Sequence, residues 1–318
     1  MTPHILMTRH LPDKVIAEAL ARFELTVRED TTPLDEAAAL AALNDYDGVL
    51  PTLGDAFNAD VFARAHAPRC RILANFGVGY NHIDVGAANA AGVVVSNTPG
   101  TVTDATADIA MTLILMTARR AGEGERLVRA GLWEGWHPTQ MLGLHVTGKT
   151  LGIVGMGRIG KAIARRCHYG FGMEVLFHNR SAVADPGLPA RQVGSLAEAM
   201  AADIVVIAVP GGAGTRHLIG AEAMAAMRPH GILVNISRGD VIDESALIAA
   251  LAERRIGGAG LDVYEFEPAV PEALRALDNA VLLPHLGTAA LEVREAMGLM
   301  AVANLTAFFD GREVPNRV

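Results

Sequence analysis

Three short segments in the second half of the chain each carry a side chain that can handle charge or protons. Asn235-Ile236-Ser237-Arg238-Gly239-Asp240 presents a guanidinium. Leu261-Asp262-Val263-Tyr264-Glu265-Phe266-Glu267-Pro268 presents carboxylates, and Leu283-Pro284-His285-Leu286-Gly287 presents an imidazole. Each segment closes a run that reads as a strand, and open α/β sheets bind ligands beyond the carboxyl ends of their strands. Arg238, Glu267 and His285 gathered at one such edge make an anion-binding and acid/base set. Singly, each has a plainer reading: Arg238 as a surface charge before a helix, Glu267 as a loop acid before a proline, His285 as a satisfied strand-end histidine. Their conjunction is what points to chemistry.

Upstream lies Gly155-Met156-Gly157-Arg158-Ile159-Gly160, a GxGxxG in a chain that holds 33 glycines, so the pattern alone is weak. Its context is stronger. Leu151 to Val154 reads as a strand before it, and Ile159, Ile163 and Ala164 give a helix face after it. A tight strand-to-helix turn with bare backbone and unpaired N–H groups suits a pyrophosphate. A dinucleotide site for NAD places Asp or Glu at the end of the next strand, roughly 20 residues on, to bind ribose hydroxyls. Here that position reads His178-Asn179-Arg180-Ser181, with Asn179 19 residues after Gly160 and no carboxylate. Arg180 can pair with a 2′-phosphate, while Ser181 and Asn179 can donate neutral hydrogen bonds. NADP(H) is therefore preferred, and NAD(H) is left open by the plainer reading of Arg180 as a solvated loop charge.

The elements that must position these residues alternate along nearly the whole chain. A first series of strands is expected at His4–Thr8, Leu25–Val27, Asp47–Pro51, Arg71–Phe76 and Val93–Ser96. Helices at Asp13–Phe23 and Leu34–Leu43 and helix-compatible segments lie between them. Thr103 and Asp104 can open a long helix to Arg120. The stretch 121–148, with both tryptophans (Trp133, Trp136), reads as a loop-rich arm. A second series begins at Thr150, with strands expected at Leu151–Val154, Val175–His178, Asp203–Val209, Ile232–Ile236, Gly260–Val263 and Val281–Leu283. A last helix, about Leu291 to Phe309, has no strand partner in that series and is expected to return to the first. Such alternation builds parallel sheets under helices, so the fold class is α/β with two doubly wound domains.

Composition bounds the function. The 318 residues carry 27 Lys plus Arg against 35 Asp plus Glu, a net charge of −8, with 51% hydrophobic residues. An acidic chain without a basic block is a poor partner for nucleic acid or an anionic membrane. Mean hydropathy is +0.27, yet the longest apolar run, Ile109 to Ala118, falls short of the roughly 20 residues of a membrane span. No signal-peptide core is present, Cys70 and Cys167 show no metal or disulfide spacing, and a cytoplasmic protein without metal is expected.

The chain resembles the D-isomer-specific 2-hydroxyacid dehydrogenases, and within them the glyoxylate/hydroxypyruvate reductases. The likeness rests on Asn75-Phe76-Gly77-Val78-Gly79-Tyr80-Asn81-His82-Ile83-Asp84, on Asn97-Thr98-Pro99-Gly100, on the mid-chain glycine loop, and on the segments of Arg238, Glu267 and His285 in that order. The resemblance implies a Rossmann cofactor domain, 99–287, inserted into a flavodoxin-like substrate domain built from 1–98 and 288–318. It also implies a homodimer through the cofactor domains, with the arm at about 121–148 as a dimer element. By position, it implies that His285 protonates the reduced carbonyl, Glu267 holds the imidazole, and Arg238 and the N–H groups of Val78 and Gly79 hold the substrate carboxylate. Asp262 would lie by the nicotinamide amide. Gly155, Gly157, Arg158, Ile159, Gly160, Asn179, Arg180, Ser181, Pro210, Thr215, Ile236, Gly287 and Thr106 would contact the cofactor.

Three departures narrow the branch. Asp240 stands where many relatives have a second glycine. Glu267 replaces the Gln of formate dehydrogenases, whose reaction needs no proton relay. The 31 residues after Gly287 leave no room for the regulatory module of many phosphoglycerate dehydrogenases. An NADPH-preferring reductase of small 2-oxo acids, glyoxylate and hydroxypyruvate first, is the reading. Its rivals are a dehydrogenase for a bulkier acid (2-ketogluconate, aryl or branched), where Phe76 bears on pocket size, and a non-catalytic dinucleotide-sensing corepressor. A methyltransferase would need an acid at the second strand end and would leave the later segments unexplained.

Overall fold

The computed structural model describes residues 2–318. The chain divides into two compact units, Met1–Val102 with Ala289–Val318, and Thr103–Thr288. In the first, strands β1 (His4–Met7), β2 (Glu24–Val27), β3 (Gly48–Leu50), β4 (Ile72–Ala74) and β5 (Val94–Ser96) form a parallel sheet in the order β2-β1-β3-β4-β5. Alternate residues feed opposite faces, as a period of two requires. Leu6, Val49, Leu73 and Val95 enter one core. Ile5, Met7, Leu50 and Ile72 enter the other, where Ala301, Val302 and Leu305 of the final helix, Leu291–Phe309, join them. That helix starts and stops where its apolar pattern does.

In the second unit, β6 (Thr150–Val154), β7 (Glu174–His178), β8 (Arg191–Gln192), β9 (Ile204–Ile207), β10 (Ile232–Asn235), β11 (Gly258–Leu261) and β12 (Ala280–Leu282) form a parallel sheet. Its order is β12-β11-β10-β9-β6-β7-β8, two halves wound outward from β6 and β9. The run Ile204-Val205-Val206-Ile207 is buried throughout because helices cover both faces. Ile204 and Val206 enter one core and Val205 and Ile207 the other. A parallel sheet covered this way reads as continuous apolar strands.

Two sequence expectations are corrected. The helix expected to reach Arg120 is Thr103–Ala118, because Arg120 lies in the left-handed region at φ 52°. The region expected to be a loop-rich arm begins instead with a helix, Ala121–Arg129, that buries none of its residues. Gly122 and Gly124 mask it in the sequence, while the pairs Arg120–Glu123 and Arg129–Glu125 support it from the surface. Beyond Arg129 the arm has no regular element, and Trp133 and Trp136 are 53% and 79% exposed. β8, with only the polar pair Arg191 and Gln192, was not expected. Among the described residues, no helix is long and apolar enough to cross a membrane.

Asp203, buried just before β9, fastens three starting points of this sheet. Its carboxylate accepts from Thr150 N (2.9 Å), Thr150 Oγ1 (2.8 Å), Arg228 Nη1 (2.6 Å) and His230 Nε2 (2.8 Å). Burial alone would raise its pKa, but these donors together hold it well below the carboxylate range. The folded value lies under the unfolded one, so the stabilisation is complete above about pH 4 and fades as pH falls through the folded value. Asp203→Asn should cost about 2 kcal/mol in urea unfolding at pH 7, the worth of a charged hydrogen bond. The deficit should shrink in acid, and a pH-independent deficit would contradict this account.

Candidate active site

The glycine loop joins β6 to the helix Arg158–Phe171. Gly155 turns at φ 102°, where a Cβ would stand 2.7 Å from the Ala208 carbonyl oxygen, and a Cβ at Gly160 would stand 2.2 Å from the Gly155 carbonyl oxygen. Both positions therefore exclude a side chain, and the helix starts flush against the strand. Gly157 differs: nothing lies within 4 Å of its Cβ position, so the backbone faces open space. The helix it precedes has no side-chain cap and no acid in its first turn. Bare backbone, uncapped N–H groups and the helix dipole fit a pyrophosphate.

At the end of β7, Asn179 Oδ1 accepts from Met156 N at 2.6 Å, which binds the two turns together and leaves the amide NH2 as a donor. Arg180 and Ser181 beside it are exposed, and no acid follows β7 before Asp185. Across the sheet, Thr215 Oγ1 donates to Pro210 O at 2.8 Å, closing the loop after β9 on itself. Ile236 is buried directly after β10. The cofactor-type residues named from the sequence thus line the carboxyl edge of this one sheet, apart from Thr106. Its hydroxyl donates to Gly287 O at 3.3 Å from the neighbouring helix, so it props the turn that follows β12.

His285 and Glu267 are in contact: Nδ1 and Oε2 are 2.8 Å apart. The second carboxylate oxygen accepts from Tyr264 N at 3.0 Å. Burial works to raise the Glu267 pKa, but the His285 hydrogen bond and charge, the Tyr264 N–H and the charge of Arg238 outweigh it and hold the group below its ordinary value. Glu267 is thus an anion at neutral pH. With Nδ1–H held by that anion, Nε2 of His285 is the nitrogen free to exchange a proton with a ligand. An apolar cavity of about 370 Å³ lies alongside, with Pro268, Leu283 and Pro284 in its wall.

His285 sits at φ 53°, a left-handed conformation that costs a non-glycine residue on the order of 1 kcal/mol. Asp262 enforces it. Its Oδ1 accepts from Leu286 N at 2.7 Å, its Oδ2 from Gly287 N at 2.8 Å, and its carbonyl from His285 N at 3.0 Å. Burial raises the pKa of this carboxyl more than the N–H groups lower it. Arg238 follows β10. Its Nη1 donates to Ser237 O at 2.7 Å, and Asn235 Nδ2 donates to the Arg238 carbonyl at 2.9 Å. Burial lowers the guanidinium pKa while Glu267 and Asp240 support its charge.

Val78 and Gly79 belong to the first unit, in the loop after β4. Asn97 Nδ2 donates to Val78 O (2.9 Å), and Asn75 Nδ2 donates to Gly77 O (3.0 Å) and Gly79 O (3.1 Å). Since N–H opposes C=O across a trans peptide, tying back the carbonyls of Gly77 and Val78 turns the N–H groups of Val78 and Gly79 the other way. Asn75, Asn97 and the bonds of Asp262 have positioning roles that sequence reasoning did not assign. Asn75, two residues before the Gly-Val-Gly run, and Asn97, opening the Asn-Thr-Pro-Gly segment, were the available signals. Among the described residues no cluster of His, Cys, Asp or Glu could hold a metal.

A family model described as "D-isomer specific 2-hydroxyacid dehydrogenase, NAD binding domain" matches residues 111–287. A glyoxylate reductase of Thermococcus onnurineus is 42% identical over all of this chain and 96% of its own length, and one of Pyrococcus furiosus is 43% identical over the same shares. Among solved structures, a Thermus thermophilus protein superposes with a TM-score of 0.91 at 41% identity, covering 99% of each chain. The NADPH-dependent glyoxylate/hydroxypyruvate reductase of Sinorhizobium meliloti, crystallised with NADP and malonate, superposes with a TM-score of 0.88 at 37% identity, covering 100% of this chain and 97% of its own. A full-length match at this identity, over a double-wound sheet whose edge carries a histidine–carboxylate pair, is specific: the chain belongs to the D-isomer-specific 2-hydroxyacid dehydrogenases, NAD(P)-dependent oxidoreductases, in their glyoxylate reductase branch.

Proposed function

We propose that this protein is an NADPH-preferring reductase of small 2-oxo acids, with glyoxylate and hydroxypyruvate foremost. The observation that carries the reading is the 2.8 Å pair of His285 and Glu267 on the sheet edge that also bears Arg238. Bound at the glycine loop, the dinucleotide supplies a hydride. The chain's own residues do the rest. Arg238 holds the substrate carboxylate and carbonyl oxygen, and the N–H groups of Val78 and Gly79 take the other carboxylate oxygen. His285 Nε2 delivers a proton to the carbonyl oxygen as charge develops there. Glu267, an anion at neutral pH, accepts from Nδ1–H and so fixes the ring with Nε2 available to the substrate.

The preference for NADPH is supported by Arg180, Ser181 and the amide of Asn179 at the strand end where an NAD site carries an acid. The exposed Trp133 and Trp136 support a homodimer through the cofactor domains, which sedimentation should show as a mass of two chains.

Following NADPH absorbance across glyoxylate, hydroxypyruvate, pyruvate, phenylpyruvate and a sugar acid tests the activity. Turnover with the first two is expected, and silence across the panel would overturn the reading. His285→Ala should lower kcat by about 10²–10⁴-fold while NADPH fluorescence titration still reports binding. A corepressor-like sensor would leave partner binding indifferent to the same change. Arg180→Glu should lower the NADPH-to-NADH ratio of kcat/KM by about 10–100-fold, the loss of one charged hydrogen bond. An unchanged ratio would remove Arg180 from cofactor choice.

A further inference from the structure

The turn that carries Arg238 is gripped from two sides. On one side, His217 N donates to Asp240 O at 2.7 Å and Ile219 N to Val241 O at 3.0 Å. On the other, Gly239 lies so close to Tyr264 that a Cβ there would stand 1.8 Å from the Tyr264 carbonyl carbon. These two flanks are joined directly across the turn. His217 Nε2 and Glu265 Oε1 are 2.7 Å apart, and Arg216 Nη2 reaches the same oxygen at 3.2 Å. The loop that carries His217 also covers Arg238 itself, since a Cβ at Gly211 would stand 2.6 Å from Arg238 Cγ.

Two features say that packing alone does not account for this latch. The Glu265 side chain is only 8% exposed although it sits two residues from Glu267, a second negative charge. A buried carboxylate persists when it is paired, and its desolvation opposes folding even then. His217 holds φ 51°, a left-handed conformation that a non-glycine residue keeps only where its surroundings over-determine it. A cost on both partners of one bond is the pattern of local structure held for geometry.

We infer that Glu265 and His217 are positioning residues for 2-oxo acid reduction: their hydrogen bond holds the 211–217 loop against the Arg238 turn and so sets the guanidinium relative to Glu267. The inference rests on the role proposed for Arg238, and neither residue touches substrate. Loosening the latch displaces the carboxylate-binding group without removing it, and a misplacement of about 1 Å can cost on the order of 100-fold.

The test uses the full chain and compares Glu265→Ala, Glu265→Gln, His217→Gln and a double variant that combines Glu265→Ala with His217→Gln. Each is measured for glyoxylate kcat and KM, Tm, and amide hydrogen exchange over residues 237–243. Glu265→Ala should cut kcat/KM for glyoxylate by about 10–100-fold and speed exchange in that segment. Glu265→Gln, which keeps an acceptor for His217, should recover most of the loss. The double variant should be no worse than Glu265→Ala, because both changes break one bond. Additive losses, no recovery by Gln, or exchange over 237–243 that matches the unaltered protein would each overturn the latch. If Glu265→Ala fails to fold, His217→Gln, altered from the exposed side, carries the same comparison. A protein inactive on every 2-oxo acid would sink the functional reading alone, because exchange still decides the latch. An active protein that His285→Ala silences and Glu265→Ala leaves untouched would sink the latch alone.

Discussion

A buried carboxylate on the last turn of a parallel strand governs the geometry of this site. Asp262 gathers the N–H groups of Leu286 and Gly287 on its two oxygens and that of His285 on its carbonyl. Three consecutive donors on one residue turn the chain just after β12, and His285 takes a left-handed conformation at the bend. The imidazole therefore stands proud of the strand end, where Glu267 can reach it. Strain of this kind persists at a functional position because neighbours over-determine it. Glu267 is itself held by Tyr264 N, two strands of the same sheet thus supplying both members of the pair.

The site's charges are arranged as mutual supports. Arg238 is buried enough that its pKa is pushed down, while Glu267 and Asp240 favour its charge. Glu267 in turn is held anionic partly by Arg238 and mainly, against burial, by His285. Asp240 is where the chain departs from the two-glycine pattern of many relatives. Its backbone conformation suits a three-residue 3₁₀ turn, Gly239–Val241, so a side chain is admitted at 240 but excluded at 239, where Tyr264 presses against the backbone. The glycine that matters in this turn is the first, and the departure adds a negative charge beside the guanidinium without disturbing its path.

Much of this was legible in the residues. The alternation of apolar runs and helical stretches predicts both parallel sheets, and Leu291–Phe309 begins and ends as its composition suggests. The strand-end segments of Arg238, Glu267 and His285 could be placed on one edge because parallel strands send their carboxyl ends the same way. What could not be read depends on distance across the fold. β8 holds two polar residues and is recognisable only by pairing with β7. The helix Ala121–Arg129 buries nothing and carries Gly122 and Gly124, so neither a core-facing apolar stripe nor helix propensity announces it. The partnership of His217 with Glu265 spans 48 residues, and each taken alone is an ordinary polar loop residue.

The cofactor end of the sheet obeys an electrostatic rule that the other helices make visible. Glu36–Asp45 and Glu244–Ala252 each begin with an aspartate cap and an acid in the first turn, the usual way to satisfy free N–H groups and the positive end of the dipole. The helix Arg158–Phe171 has neither, and its first residues include Arg158 and Lys161. A helix start left uncapped and flanked by cations suits an anion from outside the chain. With Arg180 exposed at the neighbouring strand end, positive charge is distributed over two separate places on this edge. A pyrophosphate suits the first, and the second is where the proposed preference for NADP(H) would act.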